Sequence, residues 1–214
     1  MLALQNNTTG HWNTANGSQA LYSNTSGFQN TANGVSALNS NTGGDDNTAN
    51  GAFALYSNTT GNDNTANASS ALDSNTIGGA NTATGVGALA LNTIGNFNTA
   101  NGVTALLSNR TGFPNAANGV NALYSNTTGY RNTANGYQAL FSNRIGTNNT
   151  ADGSQALYYN TGSNNVVLGF NAGTNLTTGS GNVCFGSGVL WVAGESNTTG
   201  IKNVYGRVRA GSLR

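Results

Sequence analysis

An all-β fold, a parallel β-solenoid, is what this chain predicts, on three observations. The block Asn13-Thr14-Ala15-Asn16-Gly17 restarts every 17 residues, at Asn30, Asn47, Asn64, Asn81, Asn98, Asn115, Asn132 and Asn149, sometimes with a single change. A helix-pair repeat needs roughly 33 residues or more, whereas this period suits one solenoid coil of two short strands and their turns. Each block also carries two glycines and many Asn, Thr and Ser, all poor in helix interiors, and its apolar positions do not follow the helical period. The length accommodates about ten to twelve coils.

The columns assign roles in order along the coil. Ala15 recurs as Ala32, Ala49, Ala66, Ala83, Ala100, Ala117, Ala134 and Ala151, and Leu21 recurs as Leu38, Leu55, Leu72, Leu89, Leu106, Leu123, Leu140 and Leu157. A small residue facing a larger one in every coil describes a narrow core. Burial of so thin a core barely offsets the ordering entropy, so the backbone ladder between coils about 4.7 Å apart carries much of the stability. The column Asn24, Asn41, Asn58, Asn75, Asn92, Asn109, Asn126, Asn143 and Asn160 reads as an amide ladder, since identical amides at strand spacing hydrogen-bond up and down the stack. The Gly17 and Gly27 columns supply turns where a side chain would clash or φ must be positive.

The variable columns read as surface. The position after the Leu holds Tyr22, Asn39, Tyr56, Asp73, Ala90, Leu107, Tyr124, Phe141 and Tyr158, and a site that accepts Asp and Tyr alike is solvent-facing variability before it is a binding stripe. The last two residues of each coil drift freely, as in Phe28-Gln29, Asp45-Asp46 and Tyr130-Arg131, which marks a turn. Pro114, the only proline, falls there, where it is expected to break no ladder bond. Gly44-Asp45-Asp46 lacks the surroundings of a nonapeptide calcium repeat and reads as a solvated turn.

Three regions follow. Residues 1–12 form a partial first coil, with Ala3-Leu4 on the Ala-Leu columns and Asn6 assigned to the Asn column. Starting mid-coil, the chain reads as a fragment of something longer, or as a chain whose first coil another subunit covers. Residues 13–164 are nine regular coils. Residues 165–214 are divergent: Asn165-Val166-Val167-Leu168-Gly169 and Asn182-Val183-Cys184-Phe185-Gly186 turn the strand apolar. Asn203-Val204-Tyr205 then begins a third such segment after a longer coil holding Trp191, and Lys202, Arg207, Arg209 and Arg214 make a basic tail.

Composition narrows function by exclusion. Charged residues are 6% with a net charge of +1, which leaves no electrostatic footprint for nucleic acid or an anionic membrane. No apolar run reaches the length of a membrane span, so no membrane insertion is expected, and no signal peptide is visible. A single Cys184 excludes a disulfide framework and a thiolate metal site, so no metal or other cofactor is expected. An enzyme is not expected either: His11, beside Trp12, has no acid paired to it, and the carboxylates Asp45, Asp46 and Asp63 lie scattered in turns.

The segments Asn165 to Gly173 and Val183 to Gly186 resemble the head repeats of trimeric autotransporter adhesins, which read Asn-small-apolar-Ala-apolar-Gly. The 17-residue form, Asn-Thr-Ala-x-Gly-x-x-Ala-Leu-Tyr-Ser-Asn-Thr-Thr-Gly, is similar to repeats of bacterial and phage fibre and tail-spike proteins. The resemblance covers nearly all of the chain. It implies a left-handed β-roll, an extracellular or cell- or virion-surface location, and self-association as a homotrimer or end to end through the C-terminal coils. It further implies an adhesive role toward a cell-surface or glycan target.

A second function, ice binding, comes from the strand itself. The residues flanking the invariant Ala share one face, because side chains alternate along a strand. They read Thr14/Asn16, Thr31/Asn33, Thr48/Asn50, Thr65/Asn67, Thr82/Thr84, Thr99/Asn101, Ala116/Asn118, Thr133/Asn135 and Thr150/Asp152. If Ala15 and its equivalents point inward, this file points outward as a flat lattice, about 4.7 Å between coils and roughly 6.7 Å along the strand. Such Thr-x-Thr and Thr-x-Asx arrays resemble the ice-contacting faces of antifreeze proteins. If Thr and Asn point inward instead, the lattice disappears.

Overall fold

The computed structural model describes residues 2–201. It is an all-β solenoid whose strands form one twelve-stranded parallel sheet in strict sequence order, β1 (Thr14–Asn16) to β12 (Thr199–Ile201). Each strand is three residues long and lies directly over its predecessor: Thr14 pairs with Thr31, Ala15 with Ala32 and Asn16 with Asn33, and so on up the stack. The successive alanines lie in register throughout the regular coils, so the one-dimensional repeat becomes files of identical side chains.

A coil contains one strand, not two. The remaining segments run between coils as isolated hydrogen bonds, such as Leu21 N–H to Ala37 O at 3.0 Å and Ser23 N–H to Asn39 O at 2.9 Å. The reason is conformational. Gln19, Leu21 and Gln29, with nearly all of their equivalents in the regular coils, hold φ near +50° to +60°, Pro114 being the exception, so the chain alternates hand and never extends into a second strand. A left-handed Leu costs about 1–2 kcal/mol. Every Leu of this column from Leu21 to Leu157 is wholly buried, and burial of about 1.5–3 kcal/mol each offsets that cost.

The core is narrower and more polar than Ala and Leu alone. Two alanines per coil (Ala32 and Ala37, for example) and one leucine fill one side, and two asparagines fill the other. The Asn24 column is a buried ladder: Asn41 Nδ2 donates to Asn24 Oδ1 at 2.9 Å and to Gly44 O at 2.9 Å, and the pattern repeats to Asn143. Its member in the first coil is Asn7 rather than Asn6, since Asn24 Nδ2 donates to Asn7 Oδ1 at 2.7 Å. A second ladder runs through the residue that opens each block. Asn47 Nδ2 donates to Asn30 Oδ1 at 3.1 Å and to Gly61 O at 2.8 Å, while Asn47 N–H donates to Asn30 Oδ1 at 3.0 Å.

The glycine columns follow from these ladders. Gly34 has φ +144° with the Gly51 carbonyl oxygen 2.5 Å from where a Cβ would sit, and a Cβ on Gly44 would lie 2.5 Å from both Gly61 O and Asn41 Oδ1. Pro114 departs from expectation. The residues at its level in other coils donate, as Phe97 N–H does to Gly79 O at 3.1 Å and Asn148 N–H to Tyr130 O at 3.1 Å. Proline has no N–H to give, so it removes one bond between coils.

Above Asn149 the construction changes. The coil opened by Asn149 is one residue short, Thr150 pairing with Val166, and so is the coil holding Trp191, where Val183 pairs with Thr199. The strand after β11 (Val183–Phe185) is therefore Thr199–Ile201. Asn203-Val204-Tyr205 and the basic residues Lys202, Arg207, Arg209 and Arg214 lie outside the described residues.

Candidate functional site: the strand face and its flanks

Burial settles which way the strand points. In β2 (Thr31–Asn33), β3 (Thr48–Asn50), β4 (Thr65–Asn67), β5 (Thr82–Thr84) and β6 (Thr99–Asn101) the central Ala is buried and both neighbours are partly or fully exposed. The same holds for Ala116/Asn118, Thr133/Asn135 and Thr150/Asp152, while in β1 Thr14 and Asn16 are exposed. The Thr-x-Asx pairs thus stand together on one outward face, in register over nine coils.

The two files on that face differ. The outer asparagines bond to one another: Asn33 to Asn50, Asn50 to Asn67, Asn101 to Asn118 and Asn118 to Asn135, each Nδ2 to Oδ1 at 2.9 Å. Thr84 breaks this third ladder, and Asp152, acceptor-only when ionised, follows its last member. The strand threonines behave otherwise. Among the described residues no intramolecular hydrogen bond is made by the hydroxyls of Thr31, Thr48, Thr65, Thr82 or Thr99, which are left to solvent. In the turn, by contrast, the hydroxyls of Thr25, Thr42 and Thr59 donate to carbonyl oxygens of the next coil at 2.8–3.1 Å.

In the last coils the face turns apolar. Val166 and Leu168 continue the two files, followed by Val183 and Phe185 and then Thr199 and Ile201. Leu168, Phe185 and Ile201 are 40–57% exposed, and Phe170 beside them 57%. This is a contiguous apolar outer surface of three coils, continuous with the polar one.

The column read as solvent-facing variability before a binding stripe holds a feature on another side. The position after the Leu brings Tyr124, Phe141 and Tyr158 into a stack, with ring centroids 5.0 and 4.9 Å apart and planes within 8°. Tyr159 stands edge-on to Tyr158 at 4.6 Å. Three aromatics in consecutive coils at the repeat spacing were the available signal, diluted by Asp73 and Ala90 in the same column.

The titratable groups do not converge. His11 stacks on Phe28 at 5.2 Å and edges Trp12 at 4.5 Å, while Asp45 accepts the Phe28 N–H at 2.9 Å. Among the described residues no group of three or more His, Cys, Asp and Glu is arranged to hold a metal ion. Burial pushes the Asp73 carboxyl above its ordinary value and the Cys184 thiol up to about 11. Among the described residues no helix is long and apolar enough to cross a membrane. No protein-family model matches the chain, and neither a characterised protein nor a solved structure does.

Proposed function

We propose that this chain is a rigid segment of an extracellular fibre or adhesin, displayed at a cell or virion surface and self-associating as a homotrimer, with adhesion rather than catalysis as its role. The observation that carries this reading is the unbroken in-register stack of twelve strands, in which the buried Asn30 ladder runs from coil to coil as far as Asn182, joined by a second buried ladder as far as Asn143 and by stretches of an exposed one. Twelve strands at about 4.8 Å give a rod roughly 50 Å long. Length scales with repeat number in such a design, and stiffness comes from nearest-neighbour bonds. The apolar outer surface of the last three coils supports association with further copies, because large exposed apolar patches mark interfaces. Light scattering and small-angle X-ray scattering on the purified chain test it. A trimeric rod is expected; a monomer that adheres to no glycan- or cell-coated surface sinks the proposal.

One observation favours a second reading, ice binding. The Thr-x-Asx face points outward and is uncharged save for Asp152, its strand hydroxyls are free, and its amides from Asn33 to Asn67 and from Asn101 to Asn135 are held in place by one another. An ordered array of that kind resembles the ice-contacting faces of antifreeze proteins. Thermal hysteresis and ice-crystal shaping by the purified chain are the test. If the face binds ice, replacing Thr65 and Thr99 by Tyr abolishes both effects while the fold persists; wild-type protein without either effect removes this reading.

A further inference from the structure

The aromatic stack ends abruptly, and its end is a recess. The residue that follows Tyr158 in the column is Thr174, fixed there by the pairing of Leu157 N–H with Ala172 O at 3.0 Å. A threonine leaves empty the position a fourth ring would take. A cavity of about 310 Å³ occupies this place, lined by Gln155, Tyr158, Tyr159, Asn171 and Thr174.

Its walls have a distinct chemistry. Tyr158 backs the recess, its other neighbour in the column being Phe141 at 4.9 Å, and Tyr159 meets it at 74° to form a corner. Tyr159 takes a position that is serine in most coils, such as Ser125 and Ser142, so the corner exists only here. The polar lining is amide and hydroxyl with no carboxylate, ammonium or guanidinium. Gln155 is held by its own donor, Nε2 to Gln138 Oε1 at 3.0 Å, which leaves its carbonyl oxygen as an acceptor. Asn171 closes the inner side of the recess, its Oδ1 buried and reached by no donor among the described residues.

We infer that this recess is a binding site for one pyranose ring of a neutral glycan. A pyranose presents an apolar C–H face, which suits the open side of an aromatic ring, and a rim of hydroxyls that donate and accept. Here the C–H face lies on Tyr158, Tyr159 closes one edge, and ring hydroxyls donate to Gln155 Oε1 and bond to the Thr174 hydroxyl on the lining. Pockets built this way, an apolar wall with a few placed polar groups, fix both affinity and orientation. The lack of charge selects against acidic sugars. The inference rests on the adhesion reading and names its target class and place.

Saturation-transfer NMR and calorimetric titration of the full chain with methyl glucoside, methyl galactoside, methyl mannoside, their linear trisaccharides and sialyllactose test it. The decisive variant is Thr174→Tyr, which completes the stack and fills the recess without removing a core contact; Tyr159→Ala opens the corner and serves as the second. Circular dichroism verifies that both fold. A neutral saccharide is expected to bind the wild type, with affinity lowered about tenfold or more in either variant, the loss of one aromatic contact. Absence of binding by every saccharide, equal binding by Thr174→Tyr, or preference for sialyllactose overturns the inference. Adhesion of wild type and Thr174→Tyr to glycan-coated surfaces separates the two levels. Equal adhesion overturns the pocket and leaves the adhesin reading standing, whereas no adhesion by either removes both.

Discussion

Between Asn24 and Asn143 one inner corner of every coil is an amide; two coils further on, the same corner is Leu176. The regular coils and the last coils close one solenoid with different chemistry. In the regular coils the corner amide meets two partners at once, the amide below and a turn carbonyl, as Asn92 does with Asn75 Oδ1 at 2.8 Å and Gly95 O at 3.0 Å. In the short coil above, Asn160 turns away, donating to Gly179 O at 3.2 Å and accepting from Asn165 Nδ2 at 3.3 Å. Asn143 Oδ1 is consequently left buried without a donor. One deleted residue in the turn thus ends the ladder at that corner, while the Asn30 ladder crosses the same short coil, Asn165 Nδ2 reaching Asn149 Oδ1 at 3.0 Å.

What replaces the ladder is ordinary packing. Val167 takes the place of the strand Ala, Gly173 that of the Leu, and Leu176 that of the Asn. A Cβ on Gly173 would lie 3.1 Å from Leu157 Cδ2 and 3.7 Å from Val167 Cγ2, so the larger Val fills what the smaller Gly vacates. The interior stays close-packed while its polarity changes. The second ladder persists, Asn182 Nδ2 reaching Asn165 Oδ1 at 3.0 Å, so the two regions share one seam and differ at the other.

Exchanging the corner residues is the sharpest way to break this contrast. Asn92→Leu leaves Asn75 Oδ1 buried without a donor, while Gly95 O keeps the Asn81 Nδ2 bond at 2.8 Å, and we expect a loss of about 2–3 kcal/mol. Leu176→Asn inserts an amide with no ladder to join, for about 2 kcal/mol. Denaturant midpoints measure both, and a silent Asn92→Leu would show that the buried ladder is incidental. Next come the glycines. A Cβ on Gly78 would lie 2.5 Å from Asn75 Oδ1 and Gly95 O, whereas at Gly188 nothing lies within 4 Å. Gly78→Ala should cost about 3 kcal/mol by overpacking and Gly188→Ala only about 1 kcal/mol, for its left-handed φ of +61°. Equal melting shifts would contradict the close stacking assigned to the regular coils.

Two smaller effects involve protons. Because burial raises the Asp73 carboxyl, the folded chain holds a proton there that the unfolded chain has released. Its contribution is therefore present below the ordinary carboxylate value and lost as pH rises through the raised one. Melting temperatures measured from acid to neutral pH should fall slightly through that window in the wild type and stay flatter in Asp73→Asn. Cys184 sits in the strand-Ala column of the apolar region, wholly buried and with its thiol at about 11. Thiolate chemistry at neutral pH then requires local opening. Labelling of Cys184 should be slow, and slower still for a cysteine placed at Ala83 in a Cys184→Ser background; the reverse order would make the regular coils the looser region.

Much of this was legible in the residues. The 17-residue spacing, the strand position, the buried Leu and the Asn24 ladder all follow from columns that do not vary, whereas the direction of the strand Ala stayed open until burial fixed it. The Asn30 ladder was present in the same columns and escaped because that residue served only to mark where a block begins. The left-handed Leu was not legible, since nothing about an invariant leucine announces a positive φ. The single strand per coil and the bond lost at Pro114 follow from that backbone. The recess at Thr174 needed coordinates too, because a missing ring is visible only once its neighbours are seen to stack.

By itself, then, the sequence determined the stack: a strict period with a small residue in one column and a leucine in another admits only coil-on-coil register. Only the tertiary structure decided which of three asparagines per coil lie inside. An amide ladder forms equally well in water or in the core, so residue type is silent on the matter. The path of the backbone aims the Asn24 and Asn30 files inward, even at Asn115, where Pro114 takes the place of the left-handed residue, and leaves the Asn33 file facing solvent.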